Sequence, residues 1–333
     1  RGIQKDLDDG IDTIGKKMTV CQLYAKQIRH RGNVRYNTKN GRKRLMKLLE
    51  EDKLGGCPID SVKLSDAKEW AIRMKEKGIS YKTISNDKRS LKAAFYTAIQ
   101  DDCIRKNPFD FQLNTVIEDD TEPKVPLTPA QEESFLSFAQ NDKVYQKYYD
   151  ELIILLGTGL RISELCGLTD TDIDFENRII NVDHQLLRSA ETGYYIETPK
   201  TKSGIRQIPM SEKVYEAFNR VLKRRRGAKA VTIDGYSNFL FLNRDGYPKT
   251  ATNYDGMFRG LAKKYNKYHE EALPKVMTPH TLRHTFCTNM ANAGMNPKAL
   301  QYIMGHSNIT MTLNYYAHAT FDSAKAEMLR IAA

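Results

Sequence analysis

Apolar residues recur at three- and four-residue spacing along most of the chain and switch to short alternating runs only between Arg178 and Pro209. The first spacing marks amphipathic helices, the second marks strands. Leu45, Leu48 and Leu49 form one side of a helix that Asn37 or Thr38 is placed to cap and that runs to about Glu51. Lys39, Arg42, Lys43 and Lys47 fall on its other side, with Arg35 just ahead of it. A second amphipathic helix comes after Gly78-Ile79-Ser80, with Tyr81 at its start. Ile84, Leu91, Phe95 and Ala98 make its apolar face, and Lys82, Asn86 and Arg89 share the opposite one.

The helical period then lapses. Asn107-Pro108 breaks it, Glu118 to Glu122 is acidic without an apolar period, and Pro123 and Pro126 stiffen the adjoining backbone. Residues 107–125 are therefore expected to be an interdomain linker, between a helical domain (18–106, after a short leader 1–17) and a second domain (126–333). Leu127-Thr128-Pro129-Ala130, with Glu132 one turn in, reads as a capped helix start. Asp150 to Leu156 reads as a buried helix ending near Gly157 and Gly159, and Arg161 to Leu168 as another. The runs Ile179 to Val182, Tyr194 to Ile196 and Ile205 to Ile208 predict one small antiparallel sheet, with the turn Pro199 to Gly204 joining its last two strands. After it the pattern is helical to the end, including a tail, 321–333, with Phe321, Ala324, Met328 and Ile331 in phase.

Composition narrows the class. The 333 residues favour two cores over one. The longest apolar run, Leu152 to Leu156, is far short of the ~20 residues of a membrane span. The start at Arg1, with no signal-peptide layout, suggests a fragment of a longer chain. Five cysteines stand far apart with no CxxC pair, which excludes a zinc framework or a disulfide scaffold and fits a reducing cytoplasm. The net charge of +11 points to a polyanionic partner, with nucleic acid ahead of a membrane. It is concentrated: Arg29 to Lys47 holds eight Lys or Arg and no acid.

The strongest local chemistry is Thr278-Pro279-His280-Thr281-Leu282-Arg283-His284. Thr278 and Pro279 suit a helix start, so His280 and Arg283 lie one turn apart where free N–H groups favour an anion. Met304-Gly305-His306-Ser307 interrupts two further helical stretches, Pro297 to Met304 and about Asn308 to Tyr316. Tyr315 and Tyr316 close the second. A tyrosine is a poor nucleophile unless cations and a base stand beside it.

Taken in order, Gly159-Leu160-Arg161-Ile162-Ser163-Glu164-Leu165, a turn lysine, His-x-x-Arg-His, Gly-His-Ser and a late tyrosine resemble the tyrosine recombinase (phage integrase) family. Within it, Met290-Ala291-Asn292-Ala293-Gly294-Met295-Asn296-Pro297 is most similar to integrases of Gram-positive conjugative transposons. The resemblance implies a mainly α fold with a small antiparallel sheet: a helical core-binding domain and an α+β catalytic domain forming a C-shaped clamp around DNA. It implies that Arg161 and Arg283 grip the scissile phosphate, that His280 binds the phosphate or takes the tyrosine's proton, and that His306 adds a further donor. Lys202 would protonate the departing 5′-oxygen, with Lys200 as a near competitor. Glu164 would orient the basic groups, and His284 would support them. The nucleophile would be Tyr315 or, in the alternative register, Tyr316; the two point about 100° apart on a helix. Arg35, Lys39, Arg42, Lys43, Lys47, Tyr81, Lys82, Asn86 and Arg89 would contact DNA.

The activity implied is site-specific recombination, the integration and excision of a mobile element. It would pass through a 3′-phosphotyrosine and a crossed-strand junction, without metal or other cofactor. The protein would act as a homo-tetramer on double-stranded DNA, joined through the tail helix, in the cytoplasm and away from membranes. The alternatives are a DNA-binding architectural or regulatory protein that does not cleave, and a tyrosine-type topoisomerase.

Overall fold

The computed structural model describes residues 15–32, 34–122, 125–199, 201–225, 231–316 and 328–329. The chain divides into two compact units, Arg1–Pro123 and Lys124–Ala333. No helix among the described residues is long and apolar enough to cross a membrane.

The first unit is built on four helices: α1 (Val20–His30), α2 (Tyr36–Glu50), α3 (Leu64–Glu76) and α4 (Tyr81–Gln100). α1 starts on reciprocal bonds, Gln22 N to Thr19 Oγ1 at 3.2 Å and Thr19 N to Gln22 Oε1 at 2.8 Å. α2 begins one residue before the expected caps. Arg35 occupies the N-cap position without a side-chain bond, so Asn37 and Thr38 lie inside the first turn. The core gathers Leu23, Leu45, Leu49, Trp70, Ile84, Leu91 and Phe95. It also takes Phe109, Leu113 and Ile117, so the first part of the stretch expected to be a linker packs on the first unit. Phe109 sits edge-on to Trp70 at 5.7 Å between ring centroids, a geometry that aromatic quadrupoles favour. Asn107 fixes this segment by donating to the Lys92 carbonyl at 2.8 Å.

The second unit contains α5 (Pro129–Asn141), α6 (Tyr149–Thr158), α7 (Ile162–Gly167), α8 (Glu212–Arg225), α9 (Ala251–Tyr268), α10 (Pro279–Asn292), α11 (Pro297–Met304) and α12 (Thr310–Leu313). α6 is apolar on most sides and packs on both α8 and α10. It stops at Gly159, whose φ of +62° and close neighbour Phe286 leave no room for a side chain: a Cβ there would lie 2.5 Å from Phe286 Cδ1.

The strands differ from the expected single sheet. β1 (Ile173–Asp174), β2 (Ile179–Val182) and β5 (Arg206–Pro209) form one antiparallel sheet, while β3 (Gln185–Ser189) and β4 (Gly193–Glu197) form a second. β5 pairs with β2, Val182 opposite Arg206, and not with β4. The turn before β5 therefore crosses from one sheet to the other and is not a hairpin. The helical reading of the remainder fails over 231–250, where isolated bridges such as Leu242↔Pro248 bury Phe239, Leu240 and Phe241 in irregular backbone. The tail 321–333 lies outside the described residues except for Met328 and Leu329.

Candidate active site

The site forms where the C-terminal end of α11 meets the start of α7, the start of α10 and the turn before β5. An eight-residue helix leaves its last carbonyls without intrahelical partners. Three consecutive ones are taken by three arginines. Arg206 Nε donates to the Ile303 carbonyl at 2.6 Å, Arg283 Nη2 to that of Met304 at 2.5 Å, and Arg161 Nη2 to that of Gly305 at 2.9 Å. The carbonyl end of a helix is its negative pole, so it also offsets part of the repulsion among the three cations.

Arg161 stands at the N-cap of α7, and Glu164 one turn on closes a reciprocal cap. Glu164 Oε2 accepts from Arg161 N at 2.8 Å, and Oε1 from Arg161 Nη1 at 2.7 Å. The same carboxylate accepts from Arg206 Nη1 at 3.0 Å and Nη2 at 2.8 Å. Burial alone would raise the pKa of Glu164; the hydrogen bonds and charges of Arg206 and Arg161 outweigh it and hold it at about 2. The acid is thus a permanent anion shared by two arginines.

Arg283 is buried, and its other nitrogen, Nη1, donates to the Gly159 carbonyl at 2.5 Å. Burial and the neighbouring Arg161 lower its pKa to about 9, still protonated at neutrality. Thr278 occupies the N-cap position of α10 as expected, but the bond runs from Thr278 N to Thr281 Oγ1, at 3.1 Å. His280 is exposed one turn before Arg283.

Gly305, with φ +60°, ends α11 and delivers His306 to the site. A Cβ on Gly305 would lie 3.0 Å from the Ser203 carbonyl oxygen and 3.2 Å from Arg206, so the 3₁₀ turn Lys202–Gly204 rests directly against this corner. Lys202 is exposed on that turn, and Lys200 lies outside the described residues. His306 is buried, its Nδ1 2.9 Å from Thr312 Oγ1. Burial, followed by the charges of Arg283, Arg161 and Arg206, lowers its pKa to about 4, so the imidazole is neutral at pH 7.

The two tyrosines have separate surroundings. Tyr316 donates its hydroxyl to the Met295 carbonyl at 2.5 Å. Tyr315 packs its ring against His284, centroids 4.8 Å apart, and lies within the field of Arg283. Burial raises the Tyr315 pKa despite that cation, so its hydroxyl holds its proton in the DNA-free protein. Arg206 escaped the sequence reading altogether; its only local signal is a charged residue in a strand otherwise alternating toward Ile208.

In the first unit, Lys39, Lys43, Lys47, Lys82, Asn86 and Arg89 are exposed, and Arg35, Arg42 and Tyr81 half-buried. Buried Asp87 pairs with Arg44 at 2.5 Å, tying the two basic helices together. Lys88 turns inward over the Phe111 ring at 4.4 Å.

Comparison with known proteins gives the family. The phage integrase family matches residues 126–323. The transposase from transposon Tn916 of Enterococcus faecalis is 69% identical over 329 residues, 99% of this chain and 81% of that protein. Tyrosine recombinase XerC of Bacillus subtilis is 27% identical over 80% of this chain and 78% of its own. The solved structure of the Tn1549 transposon integrase in complex with a circular intermediate DNA is 78% identical, with a TM-score of 0.90 over 94% of this chain and 99% of that one. A second structure of that integrase, with transposon right end DNA, gives 78% identity and a TM-score of 0.89 over 95% of this chain and 100% of that one. The chain belongs to the phage integrase family, the tyrosine recombinases that break and rejoin DNA.

Proposed function

We propose that this recombinase cuts and rejoins the ends of a transposon with Tyr315 as nucleophile and Arg161, Lys202, His280, Arg283 and His306 around the scissile phosphate. Tyr315 Oη attacks phosphorus while the bond to the 5′-oxygen breaks, leaving a 3′-phosphotyrosine. His280 takes the tyrosine proton, and Lys202 gives one to the departing 5′-oxygen. Arg161 and Arg283 neutralise the non-bridging oxygens, with His306 as a neutral donor. The 5′-hydroxyl of a partner strand then attacks the phosphotyrosine and regenerates the tyrosine. The phosphodiester bond energy stays in the covalent intermediate, so the scheme requires neither metal nor ATP.

The observation that carries the reading is the docking of Arg161 and Arg283 on adjacent carbonyls at the end of α11, one residue before His306. The tyrosine assignment has two further supports. Tyr316 already spends its hydroxyl on Met295. The two Tn1549 integrase structures carry an arginine-to-lysine and a tyrosine-to-phenylalanine substitution, as far apart along that chain as Arg161 and Tyr315 are here.

Those structures hold transposon-end and circular-intermediate DNA, which makes double-stranded element ends the substrate for this chain too. In the first unit the exposed basic faces of α2 and α4 take phosphate contacts. Strand exchange between two duplexes requires four protomers. The test is nicked transposon-end DNA incubated with the protein in EDTA and run on a denaturing gel. A covalent protein–DNA adduct is expected. No adduct would overturn the scheme, and a magnesium requirement would point to carboxylate chemistry. Plasmid relaxation without strand exchange would reassign the protein as a topoisomerase.

A further inference from the structure

We infer that Arg206 is a positioning residue for strand cleavage, a buried guanidinium that sets the Lys202 turn against the phosphate-binding arginines. Its side chain has no exposed surface, so it cannot grip a phosphate itself. Its donors go to three separate segments. Nη1 reaches the Gly204 carbonyl at 3.0 Å, at the end of the Lys202–Gly204 turn. Nε reaches the Ile303 carbonyl, three residues before His306. Nη1 and Nη2 together clasp Glu164, which in turn holds Arg161.

The turn needs such a brace. It links strands of two different sheets, β4 and β5, so no hairpin ladder defines its shape. Beyond its own backbone bonds, Gly204 N to the Thr201 carbonyl and Ile205 N to that of Lys202, it is held by the Ser203 carbonyl packed on Gly305 and the Gly204 carbonyl on Arg206. A buried ion pair is a weak source of net stability, because the desolvation of both charges offsets their attraction. A planar fork meeting acceptors from three segments instead specifies geometry, which lysine, a compact point charge without that fork, cannot reproduce.

The inference rests on Lys202 as the proton donor to the leaving 5′-oxygen, and the test separates the two. Single-turnover cleavage is measured on nicked duplex carrying either the normal phosphodiester or sulfur in place of the bridging 5′-oxygen at the scissile position. A thiolate, with a thiol pKa of about 8.5, departs without a proton donor. Lys202→Ala should lose on the order of 100-fold on the oxygen substrate and recover on sulfur. Arg206→Lys should lose on the order of 10- to 100-fold on oxygen and recover most of it on sulfur, with DNA affinity unchanged. Arg206→Gln, planar but uncharged, is run beside it, with thermal melts to identify folded protein. If Lys202→Ala recovers but neither folded Arg206 variant does, Arg206 is only a core brace and the inference is overturned. If Lys202→Ala does not recover, the proton-donor reading falls and takes the inference with it.

Discussion

His306 and Thr312 face one another across the corner after α11, Nδ1 to Oγ1 at 2.9 Å, and both are buried. A neutral imidazole has one N–H. If Thr312 donates to Nδ1, the imidazole proton sits on Nε2, the nitrogen that the proposed scheme turns toward a phosphate oxygen. Thr312→Val keeps the shape and removes that control. Cleavage should fall on the order of 10-fold with DNA affinity unchanged, as measured by single-turnover adduct formation. Equal rates would show that Thr312 plays no part in orienting the histidine.

Acid should weaken the fold in two separable stages. The folded pKa of His306, about 4, lies below its ordinary 6.5, so the unfolded chain takes up a proton that the native protein refuses. Its contribution is complete above 6.5 and is lost as pH falls toward 4, by at most roughly 3 kcal/mol. Glu164, at about 2 against 4.5, behaves likewise one stage lower: its contribution is present above 4.5 and is lost toward 2. Denaturant midpoints of wild type and His306→Gln should converge between pH 6.5 and 4. Parallel pH curves would contradict the assigned shift.

Gly305 is constrained twice, by φ +60° and by the Ser203 carbonyl a Cβ would meet at 3.0 Å. Gly305→Ala should cost about 1–2 kcal/mol of stability from backbone strain. Because the displaced neighbours are the Lys202 turn and Arg206, cleavage should suffer more than the melting temperature implies. A variant that cleaves normally at saturating DNA would show that the corner tolerates movement.

The basic face of the first unit should act through salt-dependent contacts. Lys39→Gln and Lys82→Gln should each weaken binding to any duplex and reduce the slope of log affinity against log salt by about 1. Lys88→Gln is the control: that side chain lies over Phe111, so the change should move stability and leave the slope alone. Unchanged slopes for Lys39 and Lys82 would remove these residues from the interface.

How far the sequence discloses this arrangement depends on the reach of each interaction. Arg161, Arg283 and His306 were legible because each carries local companions: Glu164 one turn on, Thr278-Pro279 opening a helix, Gly305 closing one. Arg206 carries none, since its partners Glu164, Gly204 and Ile303 come mostly from distant segments. The pairing of β5 with β2 is equally non-local, so alternation alone suggested the wrong neighbour. β3 hid because Leu186-Leu187 interrupts the period of two. The irregular stretch around Phe239-Leu240-Phe241 is apolar enough to pass for helix, and bridges such as Thr169↔Phe239 and Leu242↔Pro248 reveal it.

The most direct test of the account is which tyrosine carries the DNA. Tyr315→Phe and Tyr316→Phe are compared for covalent adduct formation on nicked transposon-end DNA in EDTA, with peptide mapping of the wild-type adduct. Tyr315→Phe should form no adduct. Tyr316→Phe should still form one, losing only the bond to Met295 and about 1 kcal/mol of stability. An adduct that survives in Tyr315→Phe, or maps to Tyr316, would contradict the assignment of nucleophile and of the geometry around it.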